Sequence, residues 1–199
     1  TVINTMHEHE PIIDGPVTEI REKADSALVV GKFYPPHLGH KYLIDAAKSK
    51  AEHLSVLGVD REEYKIPGEL RASWIREIHP NVEVLLREDK LPDDDSVRWA
   101  ESTLSWLGYT PQIVFTSEDY GIPYAQAMGA DHVSVDRMRE HLPISGTKVR
   151  SNPLEYFDFL EPCVRGHFAK RICVLGAEST GTTTMAKALA DKYATVWVP

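Results

Sequence analysis

The sequence predicts an α/β protein in which helices pack against a parallel β-sheet. Short apolar runs rich in valine, leucine and isoleucine alternate with longer stretches of helical pattern, and this alternation is typical of βαβ units. Glycine, proline and aspartate residues separate the two kinds of segment and mark turns. Parallel sheets bind ligands at the carboxyl ends of their strands, so we expect the functional residues directly after the strands.

Five strands alternate with helices along the chain. The strands are expected at residues 27–30, 53–59, 81–86, 112–117 and 132–135. The helices between them are expected at residues 41–51, 68–80, 97–108 and 122–130. Pro80 ends the second helix, and Gly108 is a suitable C-cap for the third. Asp93, Asp94 and Asp95 precede the third helix, where we interpret them as capping residues in preference to a metal site.

Length and composition limit the domain organisation. The 199 residues suffice for one domain, or for one domain and a fragment, and a hydrophobic content of 42% supports a sizeable core. We divide the chain into an N-terminal arm (1–26), a main domain (27–168) and a C-terminal segment (169–199). The arm has no sustained periodicity, and its His-Glu-His-Glu stretch at residues 7–10 fits a solvated or packing segment better than a metal site.

Charge and hydropathy argue against two classes of function. A net charge of −8 disfavours nucleic-acid binding, because phosphate contacts need a basic surface. A nucleotide site in this chain must therefore build its positive potential locally. No apolar run approaches the ~20 residues that cross a bilayer, and the N-terminus lacks a signal-peptide pattern. We expect a cytoplasmic protein without membrane contact, with Cys163 and Cys173 reduced.

The first strand runs directly into the segment GKFYPPHLGH at residues 31–40. Its two prolines stiffen the turn that follows the strand, and the next helix begins at the end of the segment. A helix N-terminus after such a turn offers free N–H groups and a positive dipole to an anion. His37 and His40 are three residues apart, so both imidazoles lie on one side of the first turn and can reach the same anion.

A second segment, PISGTKVR at residues 143–150, also has the character of a helix start. Ser145 is a good N-cap, and Lys148 and Arg150 follow within the first turns. Cations are unfavourable near the positive end of a helix dipole unless an anion binds there as well. The arginine fork, the hydroxyl of Thr147 and the free N–H groups suit a di- or triphosphate.

The first segment resembles the HxGH signature of the nucleotidyltransferase superfamily, in the GKFxPxHxGH form of the nicotinamide-mononucleotide (NMN) adenylyltransferases. The second resembles the ISxTxxR box of the same superfamily, in its SGTxxR variant. The likeness covers roughly residues 27–168 and implies a Rossmann-like domain. It also implies transfer of the adenylyl group of ATP to NMN, giving NAD and Mg²⁺-bound pyrophosphate by in-line displacement without a covalent enzyme intermediate.

The resemblance assigns roles to residues of both segments. The catalytic candidates are His37, His40, Lys32 and Arg150, of which His40 would stabilise charge at the α-phosphate and Lys32 would contact the phosphate of either substrate. The further ATP-binding candidates are Gly31, Phe33, Gly39, Ser145, Gly146, Thr147 and Arg137. No residue is assigned to a metal, since Mg²⁺ would arrive with ATP.

The substrate is inferred from the GKF start and from the segments FTSEDYG and RASW, which look like those of bacterial enzymes that use NMN. The NMN-binding candidates are Tyr34, Trp74, Ser117 and Glu118. Trp74 would stack on the cationic nicotinamide ring, although packing in the core is an equally good interpretation of this tryptophan. Members of the family often oligomerise, but no interface is marked in the sequence.

The C-terminal segment contains a third motif. A strand is expected at residues 171–175, and the following GAESTGTT has Walker A spacing. The segment looks like the first βα unit of the P-loop kinase domain in bifunctional NMN adenylyltransferase/ribosylnicotinamide kinases of the NadR type. The P-loop is degenerate, because Thr182 occupies the lysine position; its other candidate residues are Gly176, Gly181 and Thr183. We expect no kinase activity from this chain alone. We also expect residues beyond about 170 to be mobile or part of an interface. The apolar side chains that would otherwise be exposed to solvent there are Leu175, Met185, Leu189 and Trp197.

Two alternatives to NMN adenylylation stay open at this point. One is adenylyl transfer to another phosphate acceptor, such as nicotinic acid mononucleotide or phosphopantetheine. The other is a module that senses NAD or ATP without turnover.

Overall fold

The computed structural model describes residues 13–14, 23–92, 95–193 and 195–199. The chain divides into two compact units, of which the first ends at Phe168 and the second spans Ala169–Pro199. The described residues contain no helix long and apolar enough to span a membrane. The interpretation of residues 7–10, and that of Asp93 and Asp94, concerns positions outside the described residues.

A six-stranded sheet forms the centre of the first unit in the described part of the chain. Its strands are β1 (Ile13–Asp14), β2 (Ala24–Gly31), β3 (Ala51–Asp60), β4 (Glu83–Glu88), β5 (Ile113–Thr116) and β6 (Asp131–Val135). The spatial order is β1-β6-β5-β2-β3-β4, and all neighbouring pairs are parallel except β1 with β6. The five long strands confirm the predicted Rossmann-like parallel sheet. The strand order reverses between β2 and β5, which is where such sheets bind ligands.

Helices cover the sheet and follow the predicted alternation. They are α1 (Leu38–Lys50), α2 (Gly68–Ile78), α3 (Ser96–Leu107), α4 (Gly121–Met128), α5 (Gly146–Ser151) and α6 (Pro162–Phe168). The predicted ends of α3 are confirmed: the Asp95 carboxylate accepts a hydrogen bond from the Arg98 N–H at 3.1 Å, and Gly108 is a left-handed C-cap with φ 76°. Glycine adopts this conformation without the steric cost that a Cβ would bring.

Three features of the first unit differ from the sequence expectations. Strand β2 begins at Ala24 and so takes in the last residues of the predicted arm, and β1 adds two residues of that arm to the sheet edge. Helix α6 and a 3₁₀ turn at Phe157–Phe159 were not predicted. A two-residue strand has no detectable periodicity, and its antiparallel pairing with β6 joins residues more than a hundred positions apart, so no local pattern could reveal it.

The sheet is buried on both faces, which explains its continuous apolar strands. Ala27 and Val29 of β2 contact one core cluster together with residues of α1, whereas Leu28 and Val30 contact a second cluster on the opposite face with residues of α4. A third cluster joins the segment around α5 to α2 and α6; its buried members are Ile66, Trp74, Leu142, Ile144, Val149, Leu160 and Val164. This third cluster fixes the second signature segment beside the first.

The second unit contains helix α7 (Thr182–Lys192) as predicted, but residues 171–175 form no strand. A strand needs a partner to satisfy its backbone groups, and the described part of this unit supplies none. Its large exposed apolar side chains are Ile172, Leu175, Met185, Tyr193, Val196 and Val198. Leu189 and Trp197 are half-buried, and the Lys187 ammonium lies 4.6 Å from the centre of the Trp197 ring. The expectation that this segment is mobile or part of an interface stays a prediction.

Candidate active site

A cavity of about 630 Å³ opens at the carboxyl ends of the central strands. Its walls come from the turn after β2, the N-termini of α1 and α3, the β3–α2 and β5–α4 loops, and the start of α5. The volume lies in the range of roughly 300–1,000 Å³ that is usual for small-molecule sites. Both signature segments contribute to this one cavity.

His37 and His40 form a stacked pair at the start of α1. Their ring centroids are 3.7 Å apart with 24° between the planes, and the edge of Phe33 contacts His40 at 5.0 Å between centroids. His37 occupies the N-cap position, yet its side chain makes no capping hydrogen bond. Among the described residues, the buried Nδ1 atoms of both histidines have no hydrogen-bond partner. Buried polar atoms are normally satisfied, so this pair has hydrogen-bonding capacity left for a ligand.

Burial makes both imidazoles neutral at physiological pH. Burial, together with a smaller effect of the nearby positive charge of Arg139, lowers the pKa of His40 to about 3. Burial also lowers the pKa of His37 well below its usual value, assisted by His40 and Arg139. A neutral imidazole carries one N–H donor and one acceptor. The ligand-free pair can therefore donate hydrogen bonds to phosphate oxygens without a charge of its own.

The glycines of the first segment let side chains pack closely around the histidines. A Cβ on Gly39 would lie 3.1 Å from the His37 ring and 3.4 Å from Cγ2 of Ile144. A Cβ on Gly31 would lie 3.2 Å from the Phe33 ring. These positions have a packing reason for glycine, beside the close approach of adenosine that the resemblance implies for Gly39.

The second segment contacts the first at Tyr34. Ser145 caps α5, as predicted, by accepting a hydrogen bond from the Lys148 N–H at 3.2 Å. The Arg150 guanidinium donates to the Tyr34 carbonyl oxygen and, at 3.1 Å, to the Thr147 hydroxyl; it also lies 4.6 Å from the centre of the Tyr34 ring. A Cβ on Gly146 would lie 2.6 Å from the same carbonyl oxygen, so only glycine permits this approach.

Arg71 is a central residue that the sequence analysis missed. Its side chain is 2% exposed, and its guanidinium donates to the backbone carbonyls of Ile66 and Val59 at 3.1 Å each, and to the carbonyl of Lys32 and the carboxylate of Asp60. Burial lowers its pKa, whereas the negative charge of Asp60 opposes this shift. The sequence signal for this role is that Arg71 lies on the apolar stripe of a predicted helix, where a charged side chain is unusual.

Of the two arginines that follow β6, the one that lines the cavity is Arg139, two positions after the predicted phosphate ligand Arg137. Arg139 lines the cavity, and its guanidinium contacts the Glu118 carboxylate at 3.2 Å. Arg137, the residue predicted for this role, is not part of the cavity lining and forms an ion pair with Asp119 at 2.6 Å. The loop after β6 turns back through positive φ angles, including 54° at Arg139, which a sequence pattern could not show.

Of the four residues predicted to bind NMN, two line the cavity and two do not. Trp74 is 5% exposed and packs in the third core cluster against His167, with 5.4 Å between ring centroids; it does not line the cavity, so the core-packing interpretation matches its position. Ser117 is likewise outside the lining, whereas Tyr34 and Glu118 belong to it.

An aromatic wall does line the cavity, but it comes from α3 and α4. Trp99 faces the cavity at the start of α3, and its indole N–H donates to the Pro92 carbonyl at 3.1 Å. Tyr120 donates its O–H to the Val30 carbonyl at 3.3 Å, and the buried Tyr124 donates to the Thr103 hydroxyl at 2.8 Å. Burial raises the pKa of Tyr124 to about 12, so it stays a neutral donor.

The cavity is positively charged although the chain is acidic. Its cationic lining residues are Lys32, Arg61, Arg139 and Arg150, against the carboxylates Glu63 and Glu118. Arg61 is paired with the buried Asp89 at 2.6 Å. A local excess of positive charge in a cleft concentrates anions. The lining therefore has more cationic than anionic side chains, as a nucleotide site in this acidic chain would require.

The degenerate P-loop of the second unit forms a compact turn before α7. A Cβ on Gly176 would lie 2.6 Å from the Thr180 hydroxyl and 2.8 Å from Cγ2 of Thr182. Gly181 is the N-cap with φ 82°, and Thr183 follows in the helix. The described residues of the chain contain no cluster of three His, Cys, Asp or Glu side chains that could hold a metal.

Gly146→Ala should weaken binding of ATP about tenfold. The added Cβ pushes α5 away from the Tyr34 carbonyl, which breaks the contacts that orient Arg150 toward a charged ligand. Calorimetry with ATP alone measures the effect. Gly166→Ala is the matched control, because a Cβ there meets no atom within 4 Å. Equal affinity of Gly146→Ala and wild type would contradict this account.

The folded protein should lose stability as the pH falls below about 6.5. The unfolded chain protonates His40 near its usual pKa, whereas the folded chain does so only near 3, so the unfolded state binds more protons between these values. At pH 5 this lowers the free energy of unfolding by about 2 kcal/mol. Urea titrations at pH 7 and pH 5 measure it. His40→Asn should reduce the pH dependence, and the exposed His53→Asn should not; the same slope in all three proteins would refute the prediction.

Comparisons with known proteins found relatives in sequence and in fold. No protein-family model matches the chain. The trifunctional NAD biosynthesis/regulator protein NadR of Escherichia coli is 28% identical over 88% of this chain and 48% of its own length, and NadR of Salmonella typhimurium is 26% identical with the same coverage. The chain thus spans about half the length of these curated relatives.

Solved structures of low sequence identity share the fold. A NadR protein in complex with NAD and AMP-PNP superposes with a TM-score of 0.67 and 21% identity, over 85% of this chain and 54% of the other. A bifunctional NMN adenylyltransferase/ADP ribose pyrophosphatase of Francisella tularensis, complexed with AMP and a manganese ion, gives 0.50 and 14%, over 84% and 49%. The chain is thus similar to part of NadR in sequence and similar to NadR structures in fold.

Proposed function

We propose that the first unit transfers the adenylyl group of ATP to NMN, giving NAD and pyrophosphate. The observation that carries this proposal is the neutral, stacked His37–His40 pair, whose Nδ1 atoms have no hydrogen-bond partner among the described residues. Of the two, His40 lines the cavity together with Arg150. Such a site offers hydrogen bonds and positive charge to a polyphosphate at two helix N-termini. The NadR relatives, which are NAD biosynthesis proteins by name, support the same chemistry.

The reaction is an in-line displacement at phosphorus. An oxygen of the NMN 5′-phosphate attacks the α-phosphorus of ATP, the bond from this phosphorus to the bridging oxygen breaks, and pyrophosphate leaves with its Mg²⁺. The attacking phosphate is already ionised, so no general base is needed. Catalysis then depends on positioning and on the stabilisation of charge.

The residues around the cavity have different roles in positioning the substrates and stabilising charge. His40 donates a hydrogen bond to the α-phosphate, where charge develops. Arg150 and Thr147, already joined by a hydrogen bond, hold the β- and γ-phosphates with the N–H groups at the start of α5. Arg139 is released from Glu118 and adds a further phosphate contact. Lys32, at the cavity wall, contacts the phosphate that is transferred or that attacks.

The aromatic wall is the acceptor end of the cavity. A nicotinamide ring attached to ribose is cationic, and a cation stacks favourably on an indole face. Trp99 replaces Trp74 in this role, because Trp99 lines the cavity and Trp74 is in the core. The carboxylates of Glu63 and Glu118 add negative charge near which a cationic ring is favoured.

Magnesium is part of the nucleotide substrate in this proposal. The described residues offer no three-ligand cluster, and Mg²⁺ is commonly bound by substrate phosphates with few protein ligands. We assign no phosphoryl transfer to the second unit, because Thr182 leaves its P-loop without the lysine that reaches the terminal phosphates.

Turnover with ATP, Mg²⁺ and one acceptor per reaction tests the proposal. We expect NAD and pyrophosphate with NMN, because the acceptor end combines an indole with carboxylates. Nicotinic acid mononucleotide and phosphopantetheine are run in parallel. Product from phosphopantetheine alone would show that the acceptor is phosphopantetheine and not NMN. ATP binding without turnover in all three reactions would contradict the proposed enzymatic activity and favour a nucleotide-sensing module.

Trp99→Ala should raise KM for NMN about tenfold, since a desolvated cation–π contact contributes on the order of 1–2 kcal/mol, and it should change KM for ATP little. Steady-state kinetics with each substrate varied in turn measure both constants. Trp99→Phe keeps an aromatic face, so its KM for NMN should lie between those of the wild type and Trp99→Ala. Trp74→Phe is the matched control: it should lower the melting temperature without raising KM for NMN. An increase in KM for Trp74→Phe alone would restore the original assignment.

A further inference from the structure

Tyr34 contacts two parts of the cavity wall that are far apart in the sequence. On one side, its carbonyl accepts a hydrogen bond from Arg150, whose guanidinium lies 4.6 Å from the centre of the Tyr34 ring. On the other side, its ring stacks on Tyr64 with 4.4 Å between centroids and 17° between planes. Its hydroxyl also accepts a hydrogen bond from the Lys65 N–H at 2.8 Å.

Tyr64 and Lys65 belong to the β3–α2 loop, residues 61–67, which forms another part of the cavity wall. The loop is anchored at one end by Arg61, which pairs with buried Asp89, and at the other by the Ile66 carbonyl, which accepts from Arg71. Between these anchors, its contacts with Tyr34 hold the Tyr64 side chain against the wall. The position of the loop and that of Arg150 are therefore both set at Tyr34.

We propose that Tyr34 is a positioning residue through which the β3–α2 loop couples binding of the acceptor to binding of the triphosphate. This inference rests on the proposed function. An acceptor in the cavity contacts the loop, which supplies Arg61, Glu63 and Tyr64 to the lining, and favours the stacked arrangement of Tyr64 on Tyr34. The stacked arrangement keeps Tyr34 under the guanidinium of Arg150, which is the group that receives the β- and γ-phosphates.

The coupling must be reciprocal, because it is a difference in binding free energy between two sites. A stacked aromatic pair changes an equilibrium by about two- to tenfold, which sets the expected size. Each substrate should therefore tighten binding of the other by about three- to tenfold. A rigid wall gives the opposite expectation: the carbonyl of Tyr34 and the hydroxyl of Thr147 would hold Arg150 whether or not Tyr64 is stacked.

Isothermal calorimetry on the full chain tests the coupling. The probe is α,β-methylene-ATP with Mg²⁺, whose α–β bridge cannot be cleaved, so NMN can be present without turnover. Its Kd is measured with and without saturating NMN, and the ratio of the two values is the coupling. We expect a ratio of about three to ten for the wild type and about one for Tyr64→Ala, which removes the stack.

Three further variants separate coupling from simple loss of structure. Tyr64→Phe keeps the ring and should keep the ratio, and Tyr34→Phe loses only the hydroxyl that accepts from Lys65 and should lower the ratio in part. Tyr109→Phe is the matched control, because its hydroxyl contacts Ser55 at 2.9 Å outside the cavity lining; its ratio should equal that of the wild type.

The outcomes distinguish this proposal from the proposed function. A ratio of one in the wild type with NMN bound, or the same ratio in the wild type and Tyr64→Ala, would overturn the coupling and leave NMN adenylylation intact. Failure of NMN to bind the wild type would overturn both. A lower ratio in Tyr64→Ala that Tyr64→Phe restores supports the coupling.

Discussion

The buried guanidinium of Arg71 is the interaction on which the cavity depends. It donates to the carbonyls of Lys32 and Val59, which come from the ends of two neighbouring strands, and to that of Ile66 in the following loop. A buried charge is costly unless it is paired and fully hydrogen-bonded, and Asp60 supplies the opposite charge. Asp60 also accepts from the first N–H of α2. One ion pair thus fixes the strand ends, the loop and a helix start.

The histidine pair shows the opposite arrangement, because it is buried without being satisfied. Its unpartnered Nδ1 atoms carry the cost of buried polar groups that lack hydrogen bonds. Under the proposed function, phosphate oxygens would accept hydrogen bonds from the pair and so remove this cost. The hydrogen-bonding capacity that the proposal needs is therefore already present in the ligand-free chain.

Features with local signals could be predicted from the sequence, and features set by distant contacts could not. The caps of α3 and α5 follow from single residues, Asp95 and Ser145, and the strand–helix alternation follows from periodicity. Trp74 and Trp99 both lie on predicted helices, and only the packing of those helices decides which indole reaches the cavity. The same applies to Arg139, whose place depends on how the loop after β6 turns.

The motifs of the first unit and the motif of the second unit differ in the same way. The two motifs of the first unit lie side by side although more than a hundred residues separate them, because Gly146 lets α5 approach the Tyr34 carbonyl and a shared core cluster contacts both segments. The turn of the degenerate P-loop needs only neighbours, such as Thr180 bonded to Ala177 at 2.7 Å, and it forms. The strand predicted before this turn needs partner strands, and residues 171–175 form no strand. Local contacts suffice to form the turn before α7, but a site built from distant turns needs the sheet that brings them to one edge.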